Sequence, residues 1–146
     1  MDANQQCYRK IIIENSNDNS KVNGWKHDRS KSRYRNVFDL IDFDPGNPLS
    51  LCELGYGSGY GYHLLSKRFK GMEATYTGYD YHEDYFNLAT KRYNGDFRLG
   101  SFKDIEDGVY DYIYAVGVFT LNRASRLLPY FIEQMNSMLL KSNLFS

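Results

Sequence analysis

The sequence predicts an α/β protein: a doubly wound, mostly parallel sheet with helices on both faces. Three observations predict it. From residue 49 onward, apolar and aromatic runs alternate with helix-patterned segments. A glycine-dense turn at Gly55, Gly57 and Gly59 separates the first such run from the first of those helices. Asp80, Gly100 and Gly117 fall at or just beyond the ends of later strand patterns. Alternating strands and helices wind right-handedly into a parallel sheet. Ligands of such sheets bind beyond the carboxyl ends of the strands, so these residues converge on one crevice.

Each element has its own reason. Residues 1–24 are polar apart from Ile11–Ile13 and read as a flexible segment, with a loop over Asn15–Ser20. Trp25–Arg35 is a basic cluster. It reads as a solvated helix start or loop; a lid over a ligand or a surface for an anionic one is the functional alternative. Val37–Phe43 reads as a helix end, and Asp44–Pro48 as a loop. Leu49–Leu54 reads as a buried strand, and Tyr60–Phe69 as a helix with Leu64, Leu65 and Phe69 inward. Ala74–Tyr79 is a second strand ending at Asp80. Glu83–Tyr93 is a helix with acids in its first turn. Phe97–Leu99 is a short third strand, and Tyr110–Val118 reads as a central strand. Arg123–Leu140 reads as a helix with a broad apolar face, which Pro129 either kinks or starts late.

Composition narrows the function. The 146 residues suit one domain. Eighteen basic and 18 acidic residues cancel, which argues against a dedicated nucleic-acid binder. The 14 tyrosines are expected to line a pocket or to pack with their hydroxyls reaching water. Cys7 and Cys52 make neither a disulfide framework nor a metal spacing, and Cys52 reads as a small buried hydrophobe. The start carries no signal-peptide pattern and no apolar stretch suits a bilayer, so a cytoplasmic protein is expected, with no metal and no membrane partner.

The chemistry sits in Leu49–Gly61, LSLCELGYGSGYG. Glycines let the backbone turn sharply and approach a ligand. The following helix start offers unpaired N–H groups and a positive dipole end. Such a strand, turn and helix make a nucleotide-type cofactor site. The dinucleotide fingerprint is G-x-G-x-x-G. Here the pattern is G-x-G-x-G, and Tyr60 stands in place of the third dinucleotide glycine.

Four stretches together resemble the class I S-adenosylmethionine-dependent methyltransferases, whose fold is Rossmann-like. They are Glu53-Leu54-Gly55-Tyr56-Gly57-Ser58-Gly59, Asp80 ending its strand, Gly100-Ser101-Phe102, and Tyr110 to Gly117 led by Asp111. Trp25 and Arg33-Tyr34 resemble the lead-in of one bacterial and phage-like branch. The resemblance covers residues 25–146. It implies S-adenosylmethionine as cofactor and a cofactor-binding domain over that span. It places Asp80 on the ribose hydroxyls, with a helix N-terminal acid as its competing role. It places the backbone of Gly55, Tyr56, Gly57 and Gly59 beneath the methionine part. Glu53 falls near the ammonium; its competing role is a carboxylate satisfying turn N–H groups. Tyr81 falls against adenine or ribose, Ser101 and Phe102 line the adenine pocket, and Gly117 borders the transfer cavity. The family often carries an acid where Ser101 stands.

The same resemblance bears on the acceptor. Amino-directed DNA methyltransferases carry Pro-Pro-aromatic in the fourth motif, where this chain has Ala115-Val116-Gly117-Val118-Phe119. The Pro-Cys nucleophile of cytosine-C5 enzymes is absent, since Gln6 and Leu51 precede the cysteines. A small-molecule acceptor is therefore expected, and a nucleic acid is not. His27, His63 and His82 are bases by type only, and none is assignable. Members of the class continue into a fifth strand and a closing hairpin, of which Asn143–Ser146 is at most a stub. The final strands are thus expected to be missing, leaving an open sheet edge and, through it, a homodimer or poor solubility, unless the chain is a fragment of a longer product. Two alternatives stand beside an active enzyme: a cofactor-binding but inactive or truncated domain, and a nicotinamide-dependent oxidoreductase.

Overall fold

A computed structural model describes residues 3–18, 21–24, 29–106, 110–118 and 126–143. Helix α1 spans Ala3–Asn15, α2 Arg29–Phe38, α3 Tyr60–Arg68, α4 Glu83–Arg92 and α5 Leu128–Asn143. The strands are β1 Leu49–Leu54, β2 Ala74–Asp80, β3 Asp96–Leu99 and β4 Tyr112–Ala115. They form one parallel sheet in the order β3-β2-β1-β4. Strand order reverses at β1, so the crevice between the ends of β1 and β4 is where a ligand belongs.

Both faces of the sheet are covered. On one, Leu49, Leu51, Tyr76 and Tyr114 pack with Tyr34 and Phe38 of α2, Leu65 of α3 and Ala89 of α4. On the other, Cys52, Leu54 and Tyr79 pack with Ile105 and Met135 of α5. Successive side chains of a strand point to opposite faces, which is why Leu51 and Cys52 serve different clusters. Cys52 is fully buried, and that burial pushes its thiol up to about 12. Aromatic rings dominate the first cluster; Phe38 meets Phe69 and Tyr114 edge-on at 6.2 and 6.1 Å between centroids. Such pairs add about 0.5–1.5 kcal/mol each beyond area burial.

Three details differ from the sequence reading. The run read as a central strand is shorter, Tyr112–Ala115, and β4 is an outer strand of the described sheet; β1 lies inside it. Its leading Asp111 explains the join: Oδ2 accepts from Ser50 N at 2.7 Å and from Ser50 Oγ at 2.9 Å, pinning β4 to β1. The last helix starts at Leu128, with Pro129 in its first turn, where a missing N–H costs nothing. The expected helix start over residues 123–125 lies outside the described residues, as do residues 144–146 of the expected strand stub; its first residue, Asn143, ends α5 instead. Residues 1–24 carry α1 and a 3-10 turn over Lys21–Asn23. Ile12 and Val22 are buried against Tyr85, whereas Ile13 is 70% exposed. One helical face with so few apolar residues leaves almost no periodic signal. Among the described residues, no helix is long and apolar enough to cross a membrane.

Candidate cofactor site

The glycine turn links β1 to α3. Gly55, Gly57 and Gly59 have φ of 74°, 53° and 78°, a region where a side chain is strained. A Cβ on Gly57 would stand 2.5 Å from Asn23 Oδ1, and one on Gly55 would overlap Val118. The turn is held to the end of β2 by two bonds: Gly55 N donates to Tyr79 O at 2.7 Å, and Gly57 N donates to Asp80 Oδ2 at 2.9 Å. His82 N donates to Asp80 Oδ1 at 2.9 Å. Asp80 is buried, and desolvation raises its pKa against the pull of those two N–H groups. Each of its oxygens accepts one backbone bond and keeps capacity for another.

Glu53 ends in a different environment. It is fully buried, one residue before the end of β1, opposite Gly78 of β2 and Tyr114 of β4. Tyr34 donates to Oε1 at 2.6 Å and Tyr76 donates to Oε2 at 2.7 Å. Desolvation pushes its pKa up to about 7, with Asp80 adding in the same direction and the two hydroxyls opposing. The sequence reading sends tyrosine hydroxyls to water or to a pocket wall. These two bind a buried acid instead, because an unpaired carboxylate here would cost several kcal/mol. The competing role for Glu53, bonding turn N–H groups, does not describe these contacts.

The other predicted residues are dispersed around this centre. Tyr56 is a core residue, its ring 4.9 Å from Phe97 and its hydroxyl donating to Arg98 O at 3.3 Å, so only its backbone faces the turn's ligand side. Tyr81 follows Asp80 and is 55% exposed. Ser101 caps the 3-10 turn Phe102–Asp104 through a reciprocal pair with Asp104, its hydroxyl donating to Oδ2 at 3.0 Å. Phe102 lies edge-on to Phe131 of α5 at 6.1 Å. Gly117, just beyond β4, has φ 79°. His63 stacks against Tyr60 and Tyr93, at 6.0 and 5.2 Å. His82 is buried, its Nε2 3.1 Å from Gln5 O. His27 and Trp25 lie outside the described residues.

Sequence reasoning missed three contributors. Asn23 closes over the turn, its Oδ1 accepting from Ser58 N at 2.9 Å. Tyr85 anchors that segment by donating to Val22 O at 2.8 Å. Tyr76 reaches Glu53 from the neighbouring strand. No local spacing signals any of them. Tyr34 is visible in the sequence only through its place in the lead-in. Among the described residues, two buried oxygens of this region have no hydrogen-bond partner, Ser58 Oγ and Tyr114 OH. Buried polar atoms are rarely left so. Together with the glycine cradle and the spare acceptors of Asp80, they suit a polar ligand that carries hydroxyl and ammonium donors.

No protein-family model matches the chain, and no curated protein matches it. Solved structures do. DesVI of Streptomyces venezuelae aligns with a TM-score of 0.55 at 12% identity, over 94% of this chain and 54% of that one. The plantazolicin methyltransferase BpumL, solved with S-adenosylhomocysteine, aligns with a TM-score of 0.49 at 22% identity, over 86% and 52%. The chain thus spans about half the length of these proteins. The DesVI overlay supports the fold, and at its identity it concerns the fold alone. A four-stranded parallel sheet flanked by helices, matched in this way, gives the chain the class I methyltransferase fold.

Proposed function

We propose that this chain binds S-adenosylmethionine and transfers its methyl group to a small-molecule acceptor. The observation that carries the reading is the bond from Gly57 N to Asp80 Oδ2, which joins the glycine turn and the acidic strand end into one polar cradle. The cofactor supplies the chemistry as an activated methyl on sulfur. Residues 25–146 make the binding domain, and Asn23 from the segment before it closes over the turn. Asp80 accepts from the ribose hydroxyls in charge-assisted bonds. The backbone at Gly55, Tyr56, Gly57 and Gly59 passes beneath the methionine part, with Glu53 toward its ammonium. Tyr81, Ser101, Phe102 and Gly117 border the adenine and the acceptor. The protein's own work is alignment and exclusion of water, and alignment alone lowers a barrier by about 7–11 kcal/mol. No base is assigned, and none is needed for an acceptor that arrives unprotonated. Among the described residues the outer edge of β4 pairs with no strand; it is the proposed contact for a homodimer, since unpaired edges recruit another strand.

Amide spectra of isotope-labelled protein test the cofactor assignment. Adding S-adenosylhomocysteine is expected to shift Gly55, Gly57, Gly59 and Tyr81. A folded protein whose spectrum stays unchanged at saturating ligand overturns the reading.

A further inference from the structure

Glu53 is gripped by side chains from separate elements. Tyr34 comes from α2 and Tyr76 from β2, at 2.6 and 2.7 Å. From α3, Gly61 approaches so closely that an added Cβ would stand 2.7 Å from Oε1. From β4, Tyr114 is the register partner of Glu53, and its buried hydroxyl has no partner among the described residues. The charged group acting on it is Asp80, at the end of β2, and the thiol of Cys52 adjoins it in β1. A carboxylate offers about four lone-pair sites. Two hydroxyls fill two of them, and the others remain for a donor.

We propose that Tyr34 and Tyr76 are positioning residues that hold Glu53 so that capture of the cofactor's ammonium expels a proton from it. The inference rests on the cofactor reading above. Its physics is a competition. Burial favours the neutral carboxyl, while the two hydroxyls favour the anion. The balance stands near neutrality, at about 7. An ammonium placed beside the acid tips it to the anion. The carboxyl O–H bond breaks, the proton passes to solvent, and no other bond changes. Recognition of the amino-acid end is then linked to pH, although the ammonium itself stays charged throughout.

Calorimetry of the full chain tests this between about pH 5.5 and 8, across the expected titration. Each titration is run in two buffers of different ionisation enthalpy. The probes are S-adenosylhomocysteine and 5′-methylthioadenosine, which lacks the ammonium. At about pH 6 the first should release close to one proton per ligand bound, and its affinity should rise about tenfold per pH unit before levelling off. The second should release none, which separates Glu53 from Asp80 on the ribose. Tyr34→Phe and Tyr76→Phe each remove a donor to the anion, so the midpoint should move to higher pH in both. A merely structural tyrosine would lower stability and leave the midpoint in place. If one variant does not fold, the other and the wild-type proton count still decide. Binding of S-adenosylhomocysteine without proton release, or equal release with both probes, overturns this inference and leaves the cofactor reading standing. Failure of a folded protein to bind either probe at any pH overturns both.

Discussion

The two buried acids of the site are held in opposite ways. Asp80 is gripped by backbone, through the N–H groups of Gly57 and His82. Glu53 is gripped by side chains, through the hydroxyls of Tyr34 and Tyr76. Backbone donors come with the turn that makes the crevice, so the Asp80 cradle needs only β1, its turn and β2 in place, Gly57 lying 23 positions before Asp80. The Glu53 cradle exists only when α2, β1 and β2 have assembled. One acid is thereby fixed by turn geometry and the other by packing. Changes at the first should reach ligand affinity directly, and changes at the second should reach stability and pH response.

The largest effect should come from Asp80→Ala. Two charge-assisted bonds to a ribose, at about 1.5 kcal/mol each, correspond to about a 100-fold loss of affinity for S-adenosylhomocysteine. Unchanged affinity would remove the ribose assignment. Next comes the pH dependence of folding. Glu53 sits near 7 in the fold against 4.5 unfolded, so its neutral form is favoured by folding. That contribution is fully present below the unfolded value and is lost as pH rises through the folded one. It amounts to about 3 kcal/mol across that window. Denaturant titrations of wild type and Glu53→Gln should diverge by that amount between the two ends, and parallel curves would contradict it. A smaller effect is expected from Gly61→Ala, whose Cβ would press on Tyr34 at 2.5 Å and on Glu53 at 2.7 Å. Overpacking of this kind costs about 1–3 kcal/mol, even though alanine favours a helix. A stabilised variant would show that the tyrosine cradle yields easily. Smallest is Asn23→Ala, which leaves Ser58 N–H without its 2.9 Å acceptor and should lower stability by about 1 kcal/mol. A thermal melt reads it directly.

The same contrast explains what the sequence revealed. The β1–turn–α3 unit is legible because strand pattern, glycine spacing and helix start lie within about twenty residues of one another. The parallel sheet follows from alternation, and the end of β2 at Asp80 is readable from the close of an apolar run. Tyr34, Tyr76 and Asn23 are not readable as site residues, because each meets its partner across 19 to 35 positions of chain. Nor is the commitment of Ser101 to a cap, since its partner Asp104 also fits a plain surface turn. Tyr56 stands between two motif glycines of positive φ, and its ring lies in the core with its hydroxyl donating to Arg98 O, a destination that the glycine spacing does not encode. The length of β4 depends on where its pairing with β1 stops, at Ala115, which composition does not encode.

The cofactor assignment is tested most simply by calorimetric titration of the purified chain with S-adenosylhomocysteine beside NAD. Saturable binding of the first alone, lost in Asp80→Ala, is the expected outcome. Binding of neither by a folded protein, or of NAD in preference, would refute it.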